Sequence, residues 1–400
     1  MNKIGILTFY KSVNYGSALQ AWALQHVLER NGYDVEIIEY TPEAYDHIYG
    51  LFVPPCNLKS IKYDIKRLLL ANAILRQKSF FKNFRDEYMN LSNEKYTKDS
   101  CLTSMVEKYD CVVCGSDQIW NVRAHDCDIA YFLPVKSSIK KIAYAVSVND
   151  TDFTENMCDE NLRKCIKDFF AISARERSGA LKIGQFIGEE NRVQTVVDPT
   201  LLNSKEEYGQ ICAPRFVKEK YIFLYNVWSD NDAVNAAIYL SKKMNMPIYA
   251  ALMKRDVKVV GRLRAKGIHV ETKHTSPEDF VSLIKGNWTL NFKLIRYADF
   301  IVTDSFHGTA FSLIFEKEFI SINERVEKGK KNDERILSIL NRVGLENRYL
   351  TLDELSKTEN LDAINYSAVN IKKKNLRDES ERWLRNSIVE GVGKNEDRKN

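Results

Sequence analysis

The segment from Phe300 to Phe315, FIVTDSFHGTAFSLIF, constrains the fold of this 400-residue chain more than any other stretch. The apolar, β-branched run at 300–302 predicts a buried strand, and the small and apolar residues after Gly308 suit a helix. The polar triplet Thr303-Asp304-Ser305 and a Phe-His-Gly turn separate them. His307 is therefore expected where a strand ends and a helix begins, which is where ligands bind in open α/β sheets.

This predicted turn has the properties of an anion site. The first turn of a helix has backbone N–H groups without helical partners and carries partial positive charge, so it favours phosphate. We expect Ser305, Gly308 and Thr309 to contact the anion, because Gly308 lets the backbone approach closely. A titratable imidazole beside an anion makes His307 the main candidate for catalysis.

Composition narrows the class of protein. The chain is 44% apolar and 28% charged, as expected for a soluble globular protein, and its length favours two domains. The net charge of +5 fits an anionic ligand better than nucleic acid. The N-terminus does not look like a signal peptide and no apolar run could span a bilayer, so the prediction is a cytoplasmic protein.

The cysteines and histidines do not predict a metal or redox site. All 8 cysteines are expected to be reduced thiols in the cytoplasm. Cys111 and Cys114 have the spacing of a redox or zinc pair, but they lie in a predicted strand, where their side chains point to opposite faces. Burial as small apolar residues is the favoured interpretation, and we expect no metal and no cofactor.

Strand and helix patterns alternate along the chain in two series. They predict an α/β protein with two Rossmann-like, doubly wound domains over residues 1–205 and 206–371, which face each other across a ligand-binding cleft. A helix at 372–390 is expected to pack back on the first domain. The segment at 42–105 is predicted to be helical. Predicted strands are 3–9, 34–39, 109–114, 141–146, 169–173, 193–197, 221–225, 248–252, 300–303 and 319–322; later helices include 277–284.

Three further loops at predicted strand ends or helix starts hold polar residues. Near the N-terminus, Asn14 and Tyr15 precede a helix for which Gly16 and Ser17 are possible caps. After the third strand, Asp117, Gln118 and Trp120 combine polar groups with a ring that suits a sugar. Arg175 suits a carboxylate or phosphate, with a surface salt bridge to Glu176 or a neighbour as the alternative. Arg335 opens a later helix, with a solvated basic run as its alternative.

Six motifs in order resemble the polysaccharide pyruvyl transferase family: NYGSALQAWALQ, DCVVCGSDQIWN, ISARERSG, VVDPTLL, FIVTDSFHGTAFSLIFEKEFI and NDERILSILNRVGLENR. The resemblance covers about residues 3–350. It implies a GT-B-like fold, with phosphoenolpyruvate as the donor. It also implies a saccharide acceptor, lipid-linked forms included, whose hydroxyl pair becomes a pyruvate ketal in exopolysaccharide or capsule synthesis. Such an acceptor would bring a peripheral contact with the inner face of the membrane.

The resemblance transfers only part of the site. Some family members carry Arg-Leu-His at the turn where this chain has Ser305-Phe306-His307, so only the histidine carries over, and Arg175 or Arg335 would supply the missing cation. His307 would act as the acid and Arg175 would bind the donor carboxylate. Asp117 would act as the base, with the acceptor in contact with four side chains, namely Asn14, Tyr15, Gln118 and Trp120.

Two other functions stay open at the sequence level. A GT-B-like glycosyltransferase would bind a nucleotide sugar at the same helix start. A non-catalytic glycan-binding or assembly protein would keep the fold without the chemistry. The acceptor sugar and the oligomeric state are not encoded in any motif.

Overall fold

The computed structural model describes residues 3–45, 48, 50, 71–97, 100–149, 151, 153, 158–211, 219–226, 231–252, 295–323 and 333–390. The chain divides into two compact units. Unit 1 comprises Met1–Ile74, Phe81–Leu202 and Lys374–Asn400, and unit 2 comprises Leu75–Phe80 and Asn203–Lys373. Each unit contains one parallel sheet.

The sheet of unit 1 has seven strands in the order β3-β2-β1-β4-β5-β6-β7. All its neighbouring strands are parallel. The order reverses between β1 and β4, where Leu7 pairs with Cys114. The strands are β1 Lys3–Leu7, β2 Asp34–Thr41, β3 Leu91–Thr97, β4 Cys111–Cys114, β5 Lys140–Val146, β6 Ala171–Ala174 and β7 Val193–Thr195.

The helices of the chain as far as Leu202 follow these strands. They are α1 Tyr15–Arg30, α2 Ala71–Tyr88, α3 Leu102–Val106, α4 Glu160–Lys167 and α5 Arg177–Ile187, with 3₁₀ turns at Ile129–Phe132 and Pro199–Leu202. Helix α1 is buried along most of its length, because twelve of its residues from Gly16 to Leu28 are enclosed. One core cluster of this unit contains alternate residues of the strands, such as Val112 and Cys114 in β4 and Ile172 and Ala174 in β6, which lie on one face of the sheet.

The sheet of unit 2 has five parallel strands, with the order reversed between β8 and β10. From one edge to the other it runs β12-β11-β10-β8-β9. The strands are β8 Ile222–Asn226, β9 Ile248–Leu252, β10 Phe300–Thr303, β11 Glu318–Ile322 and β12 Tyr349–Leu350. The helices after Leu202 are α6 Lys205–Gln210, α7 Asn231–Met244, α8 Phe306–Ile314, α9 Glu334–Val343, α10 Leu352–Lys357 and α11 Tyr366–Val389, with a 3₁₀ turn at Glu346–Arg348.

The fold class predicted from the sequence, parallel α/β with two doubly wound sheets, is confirmed. Strands β9 and β10 have the predicted bounds, because each is an apolar run bounded by polar residues. The cleft expected between the domains stays a prediction. The predicted helix at 277–284 lies outside the described residues.

One strand contradicts the sequence prediction. The segment 42–105 was expected to be helical, and α2 does lie in it, but Leu91–Thr97 forms β3 at the edge of the first sheet. Its sequence, LSNEKYT, has three exposed polar residues in the middle. A strand paired on one side only can carry such charged residues, which hid it from an analysis of apolar periodicity.

The cysteine interpretation is confirmed for β4. Cys111 and Cys114 are free thiols with 3% and 0% exposure. Burial raises the pKa of Cys111 to about 12 and raises the pKa of Cys114 well above its ordinary value. Both thiols therefore stay protonated and unreactive at neutral pH. Among the described helices, none is both long and apolar enough to cross a bilayer.

Candidate active site

Each sheet has one topological switch point, which we define as the carboxyl ends of the two strands between which the strand order reverses. The first switch point lies at the ends of β1 and β4 in unit 1, and the second lies at the ends of β8 and β10 in unit 2. Open parallel sheets bind ligands at such points. Most of the predicted site residues follow one of these strands or their neighbours.

At the first switch point, side chains of the protein form hydrogen bonds at the start of α1. Asn14 is the N-cap, and its Oδ1 accepts hydrogen bonds from Gly16 N at 2.9 Å and Ser17 N at 3.5 Å. Ser17 Oγ donates to Asp117 Oδ2 at 2.6 Å, and both residues are buried. The carboxylate of Asp117 therefore lies at the positive end of α1, where Rossmann folds commonly bind a phosphate.

A second set of hydrogen bonds fixes the loop that carries Asp117. Gln20 donates from Nε2 to Thr8 Oγ1 at 2.9 Å, and its Oε1 accepts from Ser116 N at 3.1 Å. Gly115 precedes this loop with φ of 123°, and a Cβ there would lie 2.0 Å from Tyr144 O. Only glycine fits this position, so the backbone before Asp117 has little freedom.

Arg175 follows β6 and forms buried ion pairs. Its Nε lies 2.8 Å from Glu176 Oε1 and its Nη1 lies 2.8 Å from Asp198 Oδ2. Asp198 Oδ2 also accepts from Ser116 Oγ at 3.1 Å, which links these pairs to the Asp117 loop. Asp198 Oδ1 accepts from the backbone N and the Oγ1 of Thr200. The predicted alternative, a surface salt bridge to Glu176 or a neighbour, names the right partner, but the pairs are buried and Asp198 is a second partner.

The charge balance of this cluster argues against the predicted donor-binding role of Arg175. Burial alone lowers the pKa of Arg175, but the charges of Glu176, Asp198 and Asp117 outweigh this effect and raise the pKa above its ordinary value. The guanidinium is 3% exposed and two carboxylates already match its charge. A donor carboxylate would have to compete with the two carboxylates that already pair with this guanidinium, and the assignment of Arg175 to the donor carboxylate stays a prediction.

At the second switch point, His307 lies where the sequence predicted. Strand β10 ends at Thr303, Ser305 is the N-cap of α8, and His307 is in the first helical turn. His307 is 8% exposed, and its ring lies 5.1 Å from that of Phe306 in an edge contact. The Ser305 side chain makes no capping hydrogen bond, and the first turn of α8 contains no acidic residue.

Hydroxyl groups connect the start of α8 to the neighbouring strands. Thr303 Oγ1 donates to Tyr225 O at 2.8 Å and accepts from Ser305 N at 3.1 Å. Thr309 Oγ1 lies 2.7 Å from Ser321 Oγ and donates to Ser305 O at 3.1 Å. Thr309 has no exposed surface and its hydroxyl holds α8 against β11, so its predicted contact with the donor is corrected to a packing role.

The absence of a side chain at Gly308 allows α8 to lie close to the sheet. A Cβ at this position would lie 2.1 Å from Thr303 Oγ1 and 2.9 Å from Tyr225 Cδ1. The missing side chain thus lets α8 approach β8 and β10, as in the third glycine of dinucleotide-binding turns. The sequence predicted a close approach at Gly308, but the partner in the structure is the protein's own sheet.

Arg335, the other predicted cation, pairs with its own helix cap. Asp333 accepts from Arg335 N at 3.1 Å, from Nε at 2.9 Å and from Nη2 at 2.6 Å. Arg335 is 7% exposed, so its charge is matched and largely enclosed. The basic run of its predicted alternative, residues 329–332, lies outside the described residues. A role for Arg335 in donor binding would require displacement of Asp333.

Trp120 is a core residue, which corrects its predicted contact with the acceptor. It has 0% exposure, its Nε1 donates to Tyr131 O at 3.0 Å, and its ring stacks on Phe132. An enclosed ring has no face for a sugar. By contrast, Gln118 and Tyr15 are half-buried, and the ring of Tyr15 packs against a phenylalanine of α2.

The sequence analysis missed several polar residues at the carboxyl edge of the sheet in unit 1. Ser17 was considered only as a cap, Glu176 only as an ion-pair partner, and Asp198 only as the end of a strand. The available signal was positional, because Asp117, Glu176 and Asp198 each follow a parallel strand and such strand ends lie along one edge of a sheet.

Comparisons with known proteins add the following findings. The sequence matches the family model described as polysaccharide pyruvyl transferase over residues 14–287 and 292–325. No curated protein sequence matches the chain.

Solved structures with a similar fold include sugar-nucleotide enzymes. The S. aureus MnaA–UDP co-structure is 13% identical, with a TM-score of 0.43 over 93% of this chain and 95% of that chain. The Methanocaldococcus jannaschii UDP-GlcNAc 2-epimerase in complex with UDP-GlcNAc and UDP is 15% identical, with a TM-score of 0.42 over 94% and 99%. E. coli heptosyltransferase WaaC with ADP is 12% identical, with a TM-score of 0.39 over 94% and 99%. No functional conclusion rests on these likenesses.

Proposed function

The chain belongs to the polysaccharide pyruvyl transferase family, and from this premise we propose that it transfers the pyruvyl group of phosphoenolpyruvate to a saccharide. The acceptor contributes two hydroxyl groups, the product is a cyclic pyruvate ketal, and inorganic phosphate is released. No cofactor takes part in this reaction.

The observation that carries this proposal is the position of His307 at the second switch point. The residue lies in the first turn of α8, beside the reversal of strand order between β8 and β10. The first turn favours a phosphate, and an imidazolium adds a positive charge and a proton to the same place. A phosphorylated enol needs a proton and a positive charge, because its methylene carbon is protonated first and its phosphate leaves before the ring closes.

In the proposed mechanism His307 holds the donor phosphate and supplies the proton. Protonation of the methylene carbon creates a cationic carbon, which one sugar hydroxyl attacks. Phosphate leaves, and the second hydroxyl closes the ring. Of the two hydroxyl protons released, one balances the new methyl group and the other ends on phosphate. General acid catalysis of this kind contributes about 10²–10⁴-fold.

The acceptor is proposed to bind at the first switch point. Asp117 would take the proton from a sugar hydroxyl, and Asn14, Tyr15 and Gln118 would contact the sugar. The support is that Ser17 and Gln118 N hold the Asp117 carboxylate at a fixed position near the start of α1. Arg175, Arg335 and Trp120 are left out of the substrate contacts for the reasons given above.

The test is an assay of phosphate release from phosphoenolpyruvate in the presence of acceptor extracts. His307→Gln is expected to lower turnover by about 10²–10⁴-fold, with the protein still folded. The matched control is His26→Gln, because His26 stacks on Trp22 in the C-terminal half of α1, away from the helix start. Near-normal turnover of folded His307→Gln would refute the mechanism.

Ligand-dependent melting separates the proposed donor from a nucleotide sugar. A ligand that binds only the native state raises the melting temperature. We expect phosphoenolpyruvate to raise it in wild type and much less in His307→Gln. A larger shift with UDP, GDP or ADP than with phosphoenolpyruvate would favour the glycosyltransferase alternative. Glycan binding without phosphate release would favour a non-catalytic protein.

A further inference from the structure

Positive charge is concentrated in one part of the sequence. The whole chain has 59 Lys and Arg against 54 Asp and Glu, a net charge of +5. Residues 57–85 contain eight Lys and Arg and a single acidic residue, Asp64, so this segment alone has a net charge of +7 and the rest of the chain is slightly acidic. Residues 57–70 lie outside the described residues, and the remainder of the segment belongs to α2. Such a segment attracts an anionic surface.

Helix α2 has a buried face and an exposed face. Three of its aromatic side chains, Phe80, Phe81 and Phe84, are buried, with exposures of 8%, 2% and 1%. Leu75 is 49% exposed, and the side chain of Lys82 is 65% exposed. The helix is therefore held to the protein by its phenylalanines and presents a leucine and a lysine to solvent.

The cations of α2 share a stripe with the exposed leucine. Leu75, Lys78, Lys82 and Arg85 are three or four residues apart, so they follow one another along the helix surface. Lys78 and Arg85 are half-buried, as is common for long side chains whose stems pack while their charged ends stay near water. The acidic residues of α2 lie after this stripe, and the ion pair of Lys82 with Asp86 is exposed and therefore weak.

The apolar residues among the cations favour a lipid surface over a nucleic acid. Between 57 and 75 they are leucine, isoleucine and alanine, with Tyr63 as the one aromatic residue. Surfaces that bind single-stranded nucleic acid use aromatic rings on which bases stack. Helices that lie on a membrane place aliphatic side chains among the acyl chains and Lys or Arg beside the headgroup phosphates. Leu75 is the described residue that can do so.

We propose that the exposed face of α2 docks on an anionic lipid surface, with Leu75 at the level of the headgroups and acyl chains, and with Lys78, Lys82 and Arg85 beside lipid phosphates. The buried face of α2 contacts the start of α1, because the ring of Phe81 lies 5.0 Å from that of Tyr15. Docking would thus bring the lipid surface close to a proposed acceptor contact. That last link rests on the proposed function, whereas the docking itself does not.

Cosedimentation of the full chain with vesicles tests the proposal. Wild type is expected to bind phosphatidylcholine vesicles that contain phosphatidylglycerol, to bind pure phosphatidylcholine far less, and to dissociate as salt screens the charges. Leu75→Ser with Lys82→Glu removes the exposed leucine and reverses one charge. This double variant is expected to bind at least about tenfold more weakly.

Helix α11 offers a closely matched control, Ile371→Ser with Lys374→Glu. Ile371 is 65% exposed, and the side chain of Lys374 is 65% exposed and pairs with Asp378 four residues on, as Lys82 pairs with Asp86. The two double variants therefore make the same change in charge and in exposed apolar surface. The control is expected to bind vesicles as wild type does, and an equal loss in both would overturn the proposal.

Hydrogen exchange on wild type tests the same surface without a variant. Vesicles with phosphatidylglycerol are expected to protect residues 75–85. The proposal is wrong if these residues gain no protection, if pure phosphatidylcholine protects them equally, or if an oligonucleotide protects them and vesicles do not. The vesicle experiments contain neither donor nor acceptor, so their failure would leave the proposed reaction intact. Conversely, an absence of phosphate release from phosphoenolpyruvate would leave the docking surface intact.

Discussion

The starts of α1 and α8 show one backbone motif with two different sets of side chains. Both helices follow a strand at a topological switch point. At α1, Asn14 caps the backbone and Asp117 adds a negative charge. At α8, Ser305 makes no side-chain cap, the first turn has no acidic residue, and His307 is present instead. The local order of strand and helix is therefore the same in the two places, while the residues around the first turn give each place a different charge.

The largest effect is expected from a change that moves the Asp117 loop. Gly115→Ala places a Cβ 2.0 Å from the backbone oxygen of Tyr144 at a φ of 123°. Overpacking and the unfavourable φ together should cost about 2–6 kcal/mol in the free energy of unfolding. Urea denaturation measures the loss, and alkylation of the buried Cys114 at the end of β4 reports whether unit 1 opens.

Gly32→Ala separates the two contributions to this loss. Gly32 also has a positive φ, of 87°, but nothing lies within 4 Å of its missing Cβ. The cost there should come from backbone strain alone, about 1–3 kcal/mol. If the two variants lose the same free energy, close packing against Tyr144 does not hold the Asp117 loop.

The next effect concerns the two arginines that the sequence offered as donor ligands. Arg175→Ala leaves Glu176 and Asp198 buried without their cation, which should cost about 3–5 kcal/mol. Arg335→Ala leaves Asp333 with the backbone N–H of residue 335, so its loss should be about 1–3 kcal/mol. Unit-resolved hydrogen exchange compares the two. A larger loss for Arg335→Ala would show that the ion pairs of unit 1 are not the stronger network.

The smallest effect compares the two helix caps directly. Asn14→Ala removes a cap that accepts two backbone N–H groups and should cost about 0.5–2 kcal/mol. Ser305→Ala removes no capping hydrogen bond and should leave stability nearly unchanged, although it lies beside His307. Thermal unfolding of the two variants measures these losses of stability. Equal losses would show that the side-chain cap of α1 contributes no more than Ser305 does at α8.

Local patterns in the sequence were sufficient for much of the fold. The bounds of β10 and the place of His307 followed from an apolar run that ends in polar residues and a glycine. Strand β3 was missed because its exposed Asn93, Glu94 and Lys95 contradict the apolar pattern of a strand. Only its pairing with β2 makes it a strand, and pairing between distant segments leaves no local signal.

The site was harder to predict because its contacts are long-range. Asp117 is one hundred residues from Ser17, and Asp198 is 23 residues from Arg175. A residue type indicates what a side chain can do, but its partner decides what it does. Trp120 is the clearest example, since its neighbours in sequence suggested a sugar surface and its neighbours in space enclose it.

The polar edge strand also bears on self-association. Sheets aggregate when an unpaired edge accepts another strand, and the side chains of Asn93, Glu94 and Lys95 would have to be desolvated for β3 to do so. The opposite edge of the same sheet is β7, with only 3 residues. Copies of this chain that meet in a crowded cell are therefore expected to dock through helix surfaces rather than to extend the sheet of unit 1 into a fibre.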